Sequence, residues 1–201
     1  MTLPPQWEKD ALALVEQASP LEGQFFRSVE LAYGHPDDVI SGEGTRTYGG
    51  RFVKPGSRAV YGSADEETAF KESAARLSRL AGRGGARITA YPRITYVLAV
   101  RVATQVDLTM PRQPRAILTP CLDPHDVTAS QEVGEFLQSE GVQAITFPSA
   151  IPGFTGRNIV VFRDTTPPPD IALVNRDEIL RELRHLADRL AQGRDDMSPA
   201  S

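Results

Sequence analysis

Residues 49–72 read GGRFVKPGSRAVYGSADEETAFKE, and this segment decides the fold: a glycine turn, a short apolar strand and the start of a helix follow one another directly. Paired glycines at Gly49-Gly50 let the backbone take positive φ and approach a ligand closely. Arg51 immediately after them offers a planar fork suited to phosphate oxygens, although glycine pairs are also ordinary turn residues. Ala59-Val60-Tyr61 has the composition of a strand, and Ser63 with Glu66 three residues later has the pattern of a capping box opening a helix through about Leu80. Phe70, Ala74, Leu77 and Ala81 recur at helical spacing and form the expected buried stripe of that helix. Glu72 stands about 200° around the helix from Phe70 and close in angle to Arg76 and Arg79. That suits an exposed, ion-paired face, while small Ala69 and Ala75 beside it suit the approach of a ligand. Arg51, Tyr61 and Glu72 thus order a cation, a ring and a carboxylate across one strand-to-helix unit, the parts needed to hold a charged nucleotide. Arg51 has Glu43 and Asp65 as competing partners, and Tyr61, alternating with Ala59, also suits a core position.

Outward from this unit, Trp7 to Ala18 reads as an opening helix with Ala11, Leu14, Val15 and Ala18 on one face, stopped at Ser19-Pro20. Phe25 to Leu31 reads as a strand, and 34–50, rich in Gly, Asp, Ser and Thr, as a long loop of the functional or mobile kind. Beyond the central helix, Gly82 is the expected stop and Arg83 to Arg87 a glycine-rich connection. Ile94 to Val102 is the longest strand candidate, and Pro111 to Pro124 a proline-punctuated stretch without regular structure. A helix from about Ser130 to Glu140 turns Val133, Phe136 and Leu137 inward and ends at Gly141. Gln143 to Phe147 and Asn158 to Arg163 read as strands joined by the loop 148–157, a second candidate site element. Ile171 to Val174 suits an edge strand, and Asn175 with Glu178 caps a last helix carrying Ile179, Leu183, Leu186 and Leu190.

Composition removes several function classes. A chain of 201 residues with 40% hydrophobic content buries one sizeable core, and a net charge of -4 supplies no global positive field for a polynucleotide. Met1 to Trp7 lacks a cationic n-region before an apolar stretch, and no run of about 18 apolar residues occurs, so the expected setting is cytoplasmic, without membrane contact. Cys121 is the single cysteine; it forms no internal disulfide, has no zinc-site spacing and reads as a buried small apolar residue. No phosphate loop, dinucleotide fingerprint, HExxH helix or GxSxG elbow is present, and His35, His125 and His185 are scattered singly. Asp37-Asp38 lack a third ligand nearby and read as a solvated turn, so no metal is expected.

The segments together resemble the RES domain, a family named for its Arg, Glu and Ser. The resemblance rests on Gly49-Gly50-Arg51-Phe52, Pro55-Gly56, Ala59-Val60-Tyr61-Gly62-Ser63, Thr68-Ala69 and Glu72. It continues in Asp107-Leu108-Thr109, Phe147-Pro148-Ser149-Ala150 and Gly156-Arg157-Asn158-Ile159-Val160-Val161-Phe162. It implies an α+β fold, a compact mixed sheet with flanking helices similar to ADP-ribosylating toxins. It divides the chain into an N-terminal helical extension (1–24), a RES-like domain (25–163), a C-terminal strand and helix packing on it (164–191) and a disordered tail (192–201). NAD is the implied substrate, consumed by hydrolysis, phosphorolysis or transfer of ADP-ribose to a protein acceptor, and an Xre-type antitoxin the implied partner. Carried over residue by residue, Arg51 binds NAD phosphate, Tyr61 stacks near the nicotinamide end, Glu72 serves the nicotinamide ribose and Ser149 completes the pocket. Arg157 and Asn158 are further substrate contacts. Where the family places a Trp-Asn pair after the arginine, this chain has Phe52-Val53, keeping a ring and losing an amide.

The chemistry so implied needs few groups. Cleavage at nicotinamide releases a neutral pyridine from a cationic one, so the barrier is an oxocarbenium-like ribosyl centre rather than leaving-group protonation. A fixed carboxylate at Glu72 stabilises the developing charge, worth about 3 kcal/mol for one well-placed group, while Arg51 fixes the pyrophosphate. A module that binds a nucleotide or ADP-ribose without chemistry, and an interaction protein using the last amphipathic helix, are the alternative readings.

Overall fold

The structure, a computed structural model, describes residues 3–84, 92–111 and 113–195. Strand β3 (Arg93–Asp107) organises it. Ile94, Tyr96, Leu98, Val100 and Val102 fall on alternate positions, so an extended backbone sends all five to one face, where all are buried. Along most of its length β3 pairs antiparallel with β1 (Ser19–Glu30). Its last residues pair in parallel with β4 (Ala144–Pro148), which is followed across the sheet by β5 (Arg157–Phe162) and β2 (Ala59–Ser63). β2 then meets β1 at Phe26↔Ser63, so the sheet curls until it closes on itself. β6 (Asp170–Leu173) lies against Leu98–Arg101 of β3.

Each face of the curled sheet has its own core. On one, Ile145, Phe147, Val160 and Phe162 pack with Leu14 of α1 (Pro5–Glu16), Ile117 of α5 (Arg115–Cys121) and Val133 and Leu137 of α6 (Thr128–Ser139). Full burial of each such side chain contributes about 1.5–3 kcal/mol, which is what fastens these helices to the sheet. The other face gathers Phe25, Val60, Leu98, Ile159 and Val161, covered by Val39 of α2 (Pro36–Ser41) and by Ile179 and Leu183 of α7 (Arg176–Asp195). Cys121 is buried, as read from the sequence, and burial pushes its thiol up to about 12. The architecture is α+β with a mixed sheet, as the sequence implied. No helix among the described residues is long and apolar enough to cross a membrane.

Several elements depart from the sequence reading for local reasons. β1 starts at Ser19 rather than Phe25: Pro20 lies at the strand's beginning, where a missing N–H is tolerated, and Ser19 pairs with Gln105. Residues 34–50 are not a structureless loop, because Pro36 opens α2 and Gly42, at φ 78°, turns the chain into α3 (Glu43–Tyr48). The proline-rich stretch holds α5, with Pro114 just before the helix and Pro120 inside its last turn. The central helix α4 (Glu66–Gly84) runs past Gly82. Asp65 caps it, accepting the Thr68 N–H at 2.7 Å, while Ser63 remains in β2. Asn175 caps nothing with its side chain; it accepts the Val97 N–H and donates to the Thr95 carbonyl of β3. Residues 85–91 and 196–201, and the side chains of Arg76, Leu77, Arg79, Ala81 and Leu190, lie outside the described residues.

Candidate functional site

The glycine turn is built before anything binds to it. Gly49 has φ 69°, and a Cβ there would stand 2.9 Å from the Val53 carbonyl. Gly50 lies flat against the Tyr61 ring, where a Cβ would fall 2.6 Å from the hydroxyl. Gly50 and Val53 exchange backbone bonds at 2.7 and 3.4 Å. Helix α6 then grips the turn: Ser130 Oγ donates to the Arg51 carbonyl, and Gln131 Nε2 to that of Gly50 at 2.9 Å. Gly134 packs so near the Phe52 carbonyl that a Cβ would stand 2.0 Å away. Phe52 is buried with its ring edge-on to Phe147 at 4.8 Å. Val53 is buried too, so the amide that the family carries here is replaced by core.

The turn sets Arg51 at the junction of α5 and α6. Its Nη1 donates to the carbonyls of Cys121 (3.0 Å) and Asp123 (2.8 Å). That junction is itself ordered. The backbone N–H groups of His125 and Asp126 bond the Asp123 carboxylate and hold its titration below the usual Asp range. Tyr61 is half-buried: its hydroxyl accepts the Phe52 N–H at 3.0 Å, its ring covers Gly50, and it meets Phe147 edge-on at 6.4 Å. The ring therefore belongs both to the core and to the surface beside the turn.

Glu72 lies opposite Phe70 on α4, as read from the sequence, but that side of the helix is the inward one. Phe70 is 59% exposed and Ala74 exposed, whereas Thr68 and Ala69 are buried and Glu72, one turn further on, follows them inward. Of the expected apolar stripe, Phe70 and Ala74 face outward because the helix presents Thr68 and Glu72 to the interior. Glu72 Oε1 accepts from Ser149 Oγ at 2.6 Å and from Asn158 Nδ2 at 2.7 Å, and Asn158 Oδ1 accepts from Ser63 Oγ at 2.8 Å. Ser149 is fixed in turn, because its Oγ accepts the Ile151 N–H at 3.1 Å and its own N–H bonds the Gly156 carbonyl at 2.7 Å. The loop carrying it is latched to α4 by Lys71, whose Nζ lies 4.2 Å over the Phe154 ring.

Of the residues singled out by sequence, Glu72, Ser149 and Asn158 meet directly. Tyr61 precedes Ser63 by two residues on the same strand face, which places its ring about 7 Å along the strand from the cluster. Arg51 is set beside that ring through Gly50. Arg157 is not brought in: it neighbours Asn158 in β5, so its side chain takes the opposite direction, and it is exposed. Ser63 joins this cluster although the sequence reads it as a helix cap; its place two positions after Tyr61, in the strand's own alternation, was the available signal. No group of three His, Cys, Asp or Glu side chains among the described residues is placed to hold a metal ion.

This arrangement has relatives. In fold the chain is similar to a crystal structure of the M. tuberculosis MbcT–MbcA toxin–antitoxin complex, with a TM-score of 0.60 at 20% identity over 88% of this chain and 98% of the other. No curated protein sequence gives a significant match. The RES domain model matches residues 25–181, from the middle of β1 into α7 and across every residue of the cluster. By that match over more than half its length, the chain belongs to the RES domain family.

Proposed function

We propose that the chain cleaves the nicotinamide–ribose bond of NAD. The observation that carries this reading is Glu72, an anion turned inward on a helix and held at one oxygen by both Ser149 and Asn158. Two donors on Oε1 fix the plane of the carboxylate, and with it the direction of Oε2. A carboxylate so fixed is preorganised for the charge of an oxocarbenium-like ribose and needs no rearrangement during reaction. As the bond from C1′ to the pyridinium nitrogen breaks, its electron pair stays on nitrogen, nicotinamide leaves neutral, and the sugar's positive charge is balanced by Glu72. Arg51, anchored by two carbonyls, holds the pyrophosphate, and Tyr61 flanks the nicotinamide end. An acceptor then adds at C1′ and loses its proton: water gives ADP-ribose, inorganic phosphate its 1″-phosphate, and a protein side chain an ADP-ribosylated protein.

Family membership supports the further reading that the chain is a growth-inhibiting toxin acting on cytoplasmic NAD. The fold relative was crystallised as a toxin–antitoxin complex, and the partner proposed here is likewise an antitoxin, of the Xre-type DNA-binding class. The test is incubation of the purified protein with NAD, alone, with phosphate and with cell lysate, followed by mass spectrometry. Loss of NAD with free nicotinamide is expected, and the second product names the acceptor. Intact NAD after long incubation, with binding still seen by calorimetry, would replace this reading by that of a nucleotide-binding module.

A further inference from the structure

We propose that Ser63 is a positioning residue for Glu72, acting through the side-chain amide of Asn158; the inference rests on Glu72 being the carboxylate of the reaction. Asn158 is 7% and Ser63 4% exposed, so water is not at hand to complete their hydrogen bonds. Register decides what does. Asn158 stands between two cross-strand neighbours, Ser63 in β2 and Phe147 in β4. Phe147 presents a ring with no hydrogen-bond donor, so of the two only the Ser63 hydroxyl donates to Asn158 Oδ1, which it does at 2.8 Å.

The negative carboxylate selects which end of the amide faces it, since Nδ2 attracts Oε1 and the amide oxygen would repel it. Where the amide stands is a separate matter, because the last torsion of an Asn side chain is broad and roughly two-fold. Without Ser63, Oδ1 becomes a buried acceptor with no donor across either strand, and the amide turns toward other partners. Glu72 then keeps Ser149 alone, and its carboxylate rotates about the single remaining bond. Ser63 is suited to prevent this: it is short, it sits on a rigid strand directly opposite Asn158, and it does not touch the carboxylate. Its work is to hold Asn158 within the few tenths of an ångström that a charge-stabilising group requires.

The test is steady-state NAD turnover by Ser63→Ala, Ser63→Thr, Asn158→Ala and the Ser63→Ala/Asn158→Ala pair, with Glu72→Gln alongside. Ser63→Ala is expected to lower kcat about tenfold, the worth of one buried neutral hydrogen bond, with KM within about twofold. Ser63→Thr, which keeps the hydroxyl, is expected to restore most of it. If Ser63 acts through Asn158, the paired variant is no slower than Asn158→Ala alone. Wild-type kcat in Ser63→Ala, or losses that add in the pair, overturns the proposal. Should Ser63→Ala not fold, Ser63→Val, which has the shape of threonine without its hydroxyl, is measured instead, and wild-type kcat there overturns it equally. The parent reading fails separately: full turnover by Glu72→Gln removes the carboxylate's role whatever Ser63 does, whereas an inactive Glu72→Gln beside a normal Ser63→Ala sinks the positioning role alone.

Discussion

Asn158 Nδ2 donates to Glu72 Oε1 at 2.7 Å, joining a strand to a helix that lies 86 positions earlier in the chain. Because Ser149 donates to the same oxygen, a glutamine at position 72 keeps the acceptor that both bonds require and loses only the charge. Glu72→Gln is therefore expected to melt within about 2 °C of the wild-type protein while NAD turnover falls about 10²-fold or more. Thermal unfolding and NAD loss on the same preparation check it, and near-normal turnover would remove Glu72 from the chemistry.

Tyr61 separates a ring from a hydroxyl. The hydroxyl serves the turn by accepting the Phe52 N–H, and the ring covers Gly50. Tyr61→Phe is expected to cost about 1–3 kcal/mol, the penalty of a partly buried N–H left without its acceptor, measured by urea denaturation. NAD affinity by calorimetry should fall little, since stacking needs the ring. Tyr61→Ala should weaken both, and a Tyr61→Phe variant of unchanged stability would show that the hydroxyl bond is dispensable.

These residues also show what the sequence made legible. The turn, the strand of Tyr61 and the loop of Ser149 were legible because Gly-Gly, an apolar triplet and a Pro-Ser pair are local signals and fall in the order of a RES domain. The burial of Phe70 and Ala74 on α4 was read backwards because hydrophobic periodicity assumes that a helix buries its apolar residues. Here Thr68 and Glu72 turn inward to a polar cluster and Phe70 is left outside. Local rules fail where a polar cluster displaces the core. Ser63 and Glu66 fit a capping box on paper, but Ser63 is committed to the strand by its pairing with Asn158, so Asp65 caps the helix instead. Closure of the sheet through β1 and β3 was beyond local signals altogether, since it is set by pairing between strands separated by β2 and α4.

Gly134 tests whether the turn depends on α6. A methyl there meets the Phe52 carbonyl at 2.0 Å, a backbone atom that yields only if the whole turn shifts. Gly134→Ala is expected to raise the KM for NAD about tenfold through displaced Arg51, and to lower stability by about 1–3 kcal/mol despite the better helix propensity of alanine. The half-buried position Gln138 on the same helix offers a control: Gln138→Ala should change neither. Equal behaviour of the two variants would show that the turn is not seated on α6.

Arg51 is tied to carbonyls at the end of α5 and in the following loop as well as to the turn, so its loss has two separable effects. Arg51→Lys keeps the charge but not the planar fork, and it is expected to raise the KM for NAD nearly as far as Arg51→Ala, about tenfold or more. A lysine that restores wild-type KM would mean that charge alone suffices and that paired bonds to a pyrophosphate are not made.

Cys121 gives the pH dependence a sign. Burial raises its thiol from an ordinary 9.0 to about 12, with the nearby Arg51 charge acting weakly in the opposite sense. Below pH 9 the thiol is protonated in both folded and unfolded chains, and its contribution to stability is fully present. Between pH 9 and about 12 the unfolded chain loses this proton while the folded chain keeps it, so stability falls as pH rises, by at most about 1.4 kcal/mol per pH unit from this group. Tyr96, also raised by burial, adds a loss of the same sign above pH 10. Urea midpoints at pH 7, 9 and 10 should therefore decline above 9, and Cys121→Ala, although less stable throughout, should decline less steeply. In the folded protein at pH 8, iodoacetamide should modify Cys121 no faster than the chain unfolds. Rapid alkylation of the native protein would show that the thiol is open to solvent and that this part of the core is wrongly placed.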